Sequence, residues 1–168
     1  MKILVMGGTR FVGKSLVRKL LSHNYDIDIF TRGNKSNPEN TNLIKGDRNN
    51  TESILKLKNK KYDVIYDISG REVEQTKNLI ENVADSFKRY IYVSSAGVYS
   101  KNYELPLSED SPLDPQSRHK GKFETENWLI EQKIPFTSFE WTIIRPGGLN
   151  ENEIIEFENI NYTKEDTQ

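Results

Sequence analysis

Apolar residues along this chain fall in short blocks, separated by segments with helical spacing. Residues 3–6 form an unbroken apolar run ending at glycine, the pattern of a strand buried on both faces of a parallel sheet. Across 11–21, Phe11, Val12, Leu16, Val17, Leu20 and Leu21 recur at the helical period. A second strand is expected at 26–30, a weak third at 43–45, a short helix at 51–57 and a fourth strand at 62–68 centred on Val64 and Ile65. A helix follows over 73–87, then a strand at 89–94 rich in β-branched and aromatic residues, a helix at 122–132 and strand material in 136–144. Segments 31–42 and 100–117 read as loops; the second carries Pro106, Pro112 and Pro115, and loops of that length are often functional.

Strands alternating with helices from the first residue predict an α/β fold. Right-handed crossovers favour a Rossmann-type, doubly wound parallel sheet in three αβα layers. At 168 residues the chain suits one domain, expected over 1–148, with an acidic, Asn-rich tail at 149–168. A net charge of -1 gives no bulk attraction to nucleic acid or an anionic membrane. The absence of cysteine excludes disulfides, Cys–zinc sites and thiol nucleophiles, and no metal is expected. The N-terminal apolar run is too short for a signal peptide or a membrane span, so a soluble, cytoplasmic protein without a membrane partner is expected.

The chemistry begins at Gly7-Gly8-Thr9-Arg10-Phe11-Val12-Gly13, between the first strand and the first helix. Glycine permits the tight turn and the close approach of backbone to phosphate, and the helix N-terminus offers free N–H groups and a positive dipole end. Arg10 replaces the middle glycine of the Gly-x-x-Gly-x-x-Gly spacing. That context predicts a site for the pyrophosphate of a nicotinamide dinucleotide. The second strand ends Phe30-Thr31-Arg32 without the carboxylate that would hold a ribose 2′-hydroxyl. Arg32, with Arg10, would instead pair with a 2′-phosphate, favouring NADP over NAD. Asp47 would accept a hydrogen bond from the adenine amino group or cap the helix after it.

The residues also resemble the extended short-chain dehydrogenase/reductase superfamily, in its nucleotide-sugar epimerase and dehydratase group. The marks are the 7–13 turn, Gly46-Asp47, Tyr92-Val93-Ser94-Ser95-Ala96-Gly97-Val98-Tyr99, Lys122 with Glu126, and Arg145-Pro146-Gly147. Phe30-Thr31-Arg32-Gly33-Asn34, Gly70-Arg71-Glu72 and the run from Ser117 to Glu126 resemble more narrowly the chloroplast stem-loop binding proteins and their cyanobacterial relatives. The resemblance implies cofactor contacts from Gly7, Gly8, Thr9, Arg10, Phe11, Val12, Gly13, Thr31, Arg32, Asp47, Ser94, Lys122, Arg145 and Pro146. A homodimer is a further implied partner.

The superfamily's redox chemistry uses Ser, Tyr and a Lys four residues after the Tyr. Ser95 and Lys122 fit, but the Tyr position is Arg118. Arginine keeps its proton in proteins and cannot serve as the acid/base. The expectation is an NAD(P)-binding protein weak or inactive as an oxidoreductase. One alternative is an RNA-binding or endoribonuclease-like protein, with Arg118, His119 and Lys120 against phosphates and His119 as acid or base. Another is an active epimerase or reductase with Tyr99 or Tyr103 as substitute base. Asp67, with Arg71 and Glu72, lines the cleft or forms an ion pair. The superfamily's substrate lobe is expected to be largely missing. The approach to the sixth strand occurs twice, at 134–139 and 141–146, and one copy must be loop or extra strand. The tail from Trp141 resembles flavin-reductase-like NAD(P)-binding proteins.

Overall fold

The computed structural model describes residues 1–101, 106–131 and 139–147. Its strands are β1 (Lys2–Met6), β2 (Asp26–Thr31), β3 (Asn42–Lys45), β4 (Tyr62–Asp67), β5 (Phe87–Val93) and β6 (Glu140–Ile144). The helices are α1 (Phe11–Ser22), α2 (Thr51–Leu55), α3 (Val73–Val83) and α4 (Lys120–Glu131), with short 3-10 turns at Ala84–Ser86 and Ala96–Val98. All five strand pairings are parallel, in the order β3-β2-β1-β4-β5-β6, so the expected Rossmann-type sheet is present.

Alternation along β1 sorts the core into two layers. Ile3 and Val5 pack with Leu16, Val17 and Leu20 of α1. Leu4 and Met6 face the other side, with Ile54 of α2, Leu79 and Ile80 of α3, and Leu129 of α4. The strands β1 and β2 carry almost no exposed positions because both faces are covered.

Several expected boundaries shift; the short helix expected over 51–57 ends at Leu55 and the strand expected over 62–68 at Asp67. The helix expected over 73–87 ends at Val83, and Phe87 begins β5. Phe87 is 3% exposed and pairs in register with Tyr62, so its burial in the sheet overrides helix continuation. The last helix begins two residues earlier than expected, at Lys120. Of the two approaches to the sixth strand, 141–144 lies in β6, while 134–138, the expected tail at 149–168 and Tyr103 lie outside the described residues. No described helix is long and apolar enough to cross a membrane.

Candidate functional site

Apart from the 118–122 run at the start of α4, the segments singled out for binding lie at the C-terminal ends of strands. The 7–13 turn follows β1, Arg32 follows β2, Gly46 and Asp47 follow β3, Asp67 closes β4, Ser94 and Ser95 follow β5, and Arg145 and Pro146 follow β6. Ligands of open α/β sheets bind at this edge, where the strand order reverses. Here the reversal lies at β1, which pairs with β2 on one side and β4 on the other.

The turn after β1 is shaped by its glycines. Gly7 and Gly8 sit at φ +116 and +91, a region that L side chains rarely adopt. A Cβ at Gly13 would lie 2.8 Å from both Cα and N of Gly8, so α1 packs directly on the turn. Arg10 is the N-cap of α1, extended and without a capping side-chain hydrogen bond, and the first turn holds no acidic residue. The helix therefore presents uncapped N–H groups and its positive dipole end to the cleft. Phe11 holds φ +42 and is 67% exposed, a strained conformation of the kind that clusters at ligand sites. This cradle, too tight for a Cβ at Gly13 and lined by free N–H groups, fits a dinucleotide pyrophosphate.

Beside it, Arg32, Lys45, Gly46, Asp47 and Lys56 surround an open hollow of about 380 Å³. Lys56 Nζ donates to the Lys45 carbonyl at 2.9 Å. The Asp47 carboxylate accepts from Asn49 N at 2.9 Å and Asn49 Nδ2 at 3.0 Å. Capping of α2 falls to Asn50, whose Oδ1 accepts from Ser53 N at 2.8 Å, so Asp47 is left at the hollow rather than in the cap role. Thr31 Oγ1 accepts from Gly33 N at 3.1 Å and steadies the turn that carries Arg32.

Asp67 is fully buried and its ion-pair partner is Arg48, not Arg71. Arg48 Nη1 and Nη2 donate to the two carboxylate oxygens at 2.7 Å each. Tyr90 Oη at 2.7 Å, Gly70 N at 2.9 Å and Ser69 N at 3.2 Å add further bonds. Burial pushes the Asp67 carboxyl up, but the Arg48 charge and the hydrogen bonds from Arg48 and Tyr90 outweigh it and hold the group below the usual range. Glu72 caps α3 in a reciprocal box with Gln75. Sequence reasoning missed Arg48 and the hydroxyls of Tyr90 and Tyr92. The available signal was a strand-end carboxylate that burial would force to find a cation.

Lys122 rises from α4 into this network. Its Nζ donates to the carbonyls of Val93 at 2.7 Å and Gly70 at 3.2 Å, and it lies 5.2 Å from the Tyr92 ring centroid. Burial lowers its pKa, with Asp67 opposing. Ser95 Oγ accepts from Gly97 N at 3.1 Å. Arg118 is exposed and its Nε donates to His119 Nε2 at 3.1 Å. Lys120 is also exposed and pairs loosely with Glu124 at 3.6 Å.

Arg145 closes the far side. Its Nη2 and Nε donate to Glu126 Oε2 at 2.8 and 3.0 Å, and Nη1 donates to Tyr99 Oη at 3.0 Å and the Glu109 carbonyl at 3.0 Å. The Pro146 carbonyl accepts from Ala96 N at 2.8 Å, and Ser94 N donates to the Ile144 carbonyl at 2.7 Å. Ser94 is buried, and its Oγ has no partner among the described residues. Among those residues no group of three His, Cys, Asp or Glu side chains is placed to hold a metal ion.

A family model described as NAD(P)H-binding matches residues 7–168. The chain belongs to this NAD(P)H-binding family. A relative from Arabidopsis thaliana, the chloroplast stem-loop binding protein of 41 kDa b, is 39% identical over 93% of this chain and 45% of its own length. A putative UDP-glucose 4-epimerase from Methanocaldococcus jannaschii is 30% identical over 68% of this chain and 45% of its own. The chain thus spans about half the length of these relatives. Thermus thermophilus UDP-glucose 4-epimerase, solved in complex with NAD, superposes with a TM-score of 0.72 at 18% identity, covering 86% of this chain and 54% of that one. The family match and the NAD-complexed neighbour support a nicotinamide dinucleotide as the cofactor, and the solved neighbour shares the fold.

Proposed function

We propose that this chain binds NADP in preference to NAD and is weak or inactive as an oxidoreductase. The observation that carries the cofactor preference is the hollow beside the 7–13 turn, where three cations, Arg32, Lys45 and Lys56, surround one carboxylate, Asp47. A ribose 2′-phosphate would bring charge that this wall neutralises, and a bare 2′-hydroxyl would not. In this reading the 7–13 turn holds the pyrophosphate, Asp47 meets the adenine amino group and Lys122 the far ribose. The bound dinucleotide would supply hydride transfer. Arg118 at the expected tyrosine position leaves that chemistry without its usual acid/base.

Calorimetric titration of the purified chain with NADPH and then NADH tests this. Micromolar binding, stronger for NADPH, is expected. Preference for NADH would remove Arg32 from its role.

A second reading is favoured by the exposed Arg118 and Lys120 beside His119, together with a relative named as a stem-loop binding protein. RNA phosphates would be met by that run, with His119 as acid or base for strand cleavage. Retardation of a structured RNA hairpin that fades steeply with salt is the expected result. No retardation at low salt would rule it out for this chain.

A further inference from the structure

The residue after Arg118 supplies an imidazole at the cleft. His119 is held through its backbone: its N–H donates to Ser117 Oγ at 3.0 Å, and its carbonyl accepts from Lys122 N at 2.9 Å and Phe123 N at 3.1 Å. The ring lies on the turn after β5. A Cβ at Gly97 would fall 2.7 Å from His119 Nε2 and 3.3 Å from Ser95 Oγ. Imidazole and hydroxyl therefore crowd one small volume, left open only because residue 97 is glycine, and Lys122 stands one helical turn further along. The other histidine of the chain, His23, sits at the end of α1 with Nδ1 2.9 Å from the Lys19 carbonyl.

We propose that His119 is the proton-transferring residue of this cleft, acting beside Ser95 on a secondary alcohol or the carbonyl derived from it. The proposal rests on the dinucleotide-binding reading above and takes the weak, not the absent, oxidoreductase activity of that reading. The alcohol proton passes to His119 Nε2 while the hydride on the same carbon passes to the oxidised dinucleotide. The alcohol becomes a carbonyl, the dinucleotide is reduced, and return of both reverses the step. Ser95 Oγ already accepts the Gly97 N–H, so its own hydrogen remains to donate to the substrate oxygen.

The protonation state suits the role. The Arg118 Nε–H donated to Nε2 places the lone pair on that nitrogen and the neutral ring's proton on Nδ1. Burial, then the positive charges of Arg118 and Lys122, holds the imidazole below its ordinary 6.5. The turn it packs against, through Ser95, Ala96 and Gly97, brings only neutral groups. The neutral base is thus the form present at neutral pH, and the exposed Arg118 side chain yields Nε2 to a substrate hydroxyl.

Proton NMR of the two histidine Cε1–H signals tests this on the full chain, followed across neutral pH without dinucleotide and with saturating NADP⁺. His119→Gln assigns the signal. The expected result is a His119 signal that titrates below 6.5 in the free chain and moves on NADP⁺ addition, while the His23 signal stays. His119→Gln is expected to keep NADP⁺ affinity within about twofold by calorimetry, yet to lower oxidation of a panel of secondary alcohols about 100-fold. A binding heat with an unmoved His119 signal overturns the proposal and leaves the cofactor reading standing. No heat with NADP⁺ or NAD⁺ overturns both. Equal alcohol oxidation by wild type and variant, or none by wild type, also overturns it.

Discussion

The two halves of the sheet's binding edge use charge in opposite ways. At the ends of β2 and β3, Arg32 and Lys45 border an open hollow, and among the described residues neither pairs with a carboxylate. Around the ends of β4, β5 and β6 the cations already have partners: Arg48, reaching in from the loop after β3, on Asp67, Arg145 on Glu126, and Lys122 of α4 on two carbonyls. The first half keeps its charge hydrated and available for a ligand. The second spends it inside the protein, where burial makes each pair rigid and costly to break. Solvent-facing cations there would add little stability but much to anion recognition.

Asp67→Asn should show the largest effect. It leaves the Arg48 guanidinium buried against a neutral amide and should cost about 3–5 kcal/mol, read as a lower midpoint in urea. The double variant Arg48→Met, Asp67→Leu should recover most of that loss, because two apolar groups leave no orphan charge. Because the folded pKa of Asp67 is lowered, its stabilisation is complete above the unfolded carboxylate value of about 3.9 and is lost as pH falls through the folded value. The deficit of Asp67→Asn should therefore shrink in acid. A deficit independent of pH would mean that the buried pair is not the source of the rigidity.

Gly13→Ala comes next. Its Cβ must displace backbone, not a flexible side chain, and NADPH affinity should fall about 100-fold by calorimetry. Unaltered affinity would separate the turn from the ligand. Arg32→Ala should weaken NADPH about tenfold and leave NADH unchanged, since its charge meets only the 2′-phosphate. An equal loss for both dinucleotides would make Arg32 a general wall of the hollow. Tyr92→Phe should have the smallest effect, about 1 kcal/mol, because it removes only the neutral hydroxyl's bonds in the buried half, 3.2 Å to the Gly70 carbonyl and a contact with Thr125. A loss comparable to that of Asp67→Asn would mean that the Gly70 loop depends on the ring hydroxyl.

The binding edge was legible where its chemistry is local. Gly7, Gly8 and Gly13 announce the cradle because turn, strand and helix lie within a dozen residues, and glycine is what a backbone-to-backbone approach requires. The helix expected over 73–87 stops at Val83, and nothing nearby in sequence says that Phe87 belongs to a strand. That is settled by its pairing with Tyr62. Asp67 was visible as an unusual strand-end carboxylate. Its partner was not, since Arg48 lies 19 residues away on a different loop and Arg71 is much nearer in sequence. Gly97 was visible only as part of a family motif, while the ring that fills its empty side is contributed by His119.

The sequence by itself determined the layer order of this protein: apolar blocks of strand length alternate with amphipathic helices, and such segments bury their apolar faces in few arrangements. It determined the glycine cradle for the same local reason. Only the tertiary structure decided which charges are shared and which stay free. Ion pairing depends on the distance and burial that packing imposes, and strands distant in sequence bring Arg48 to Asp67 and Arg145 to Glu126 while leaving Arg32 in water.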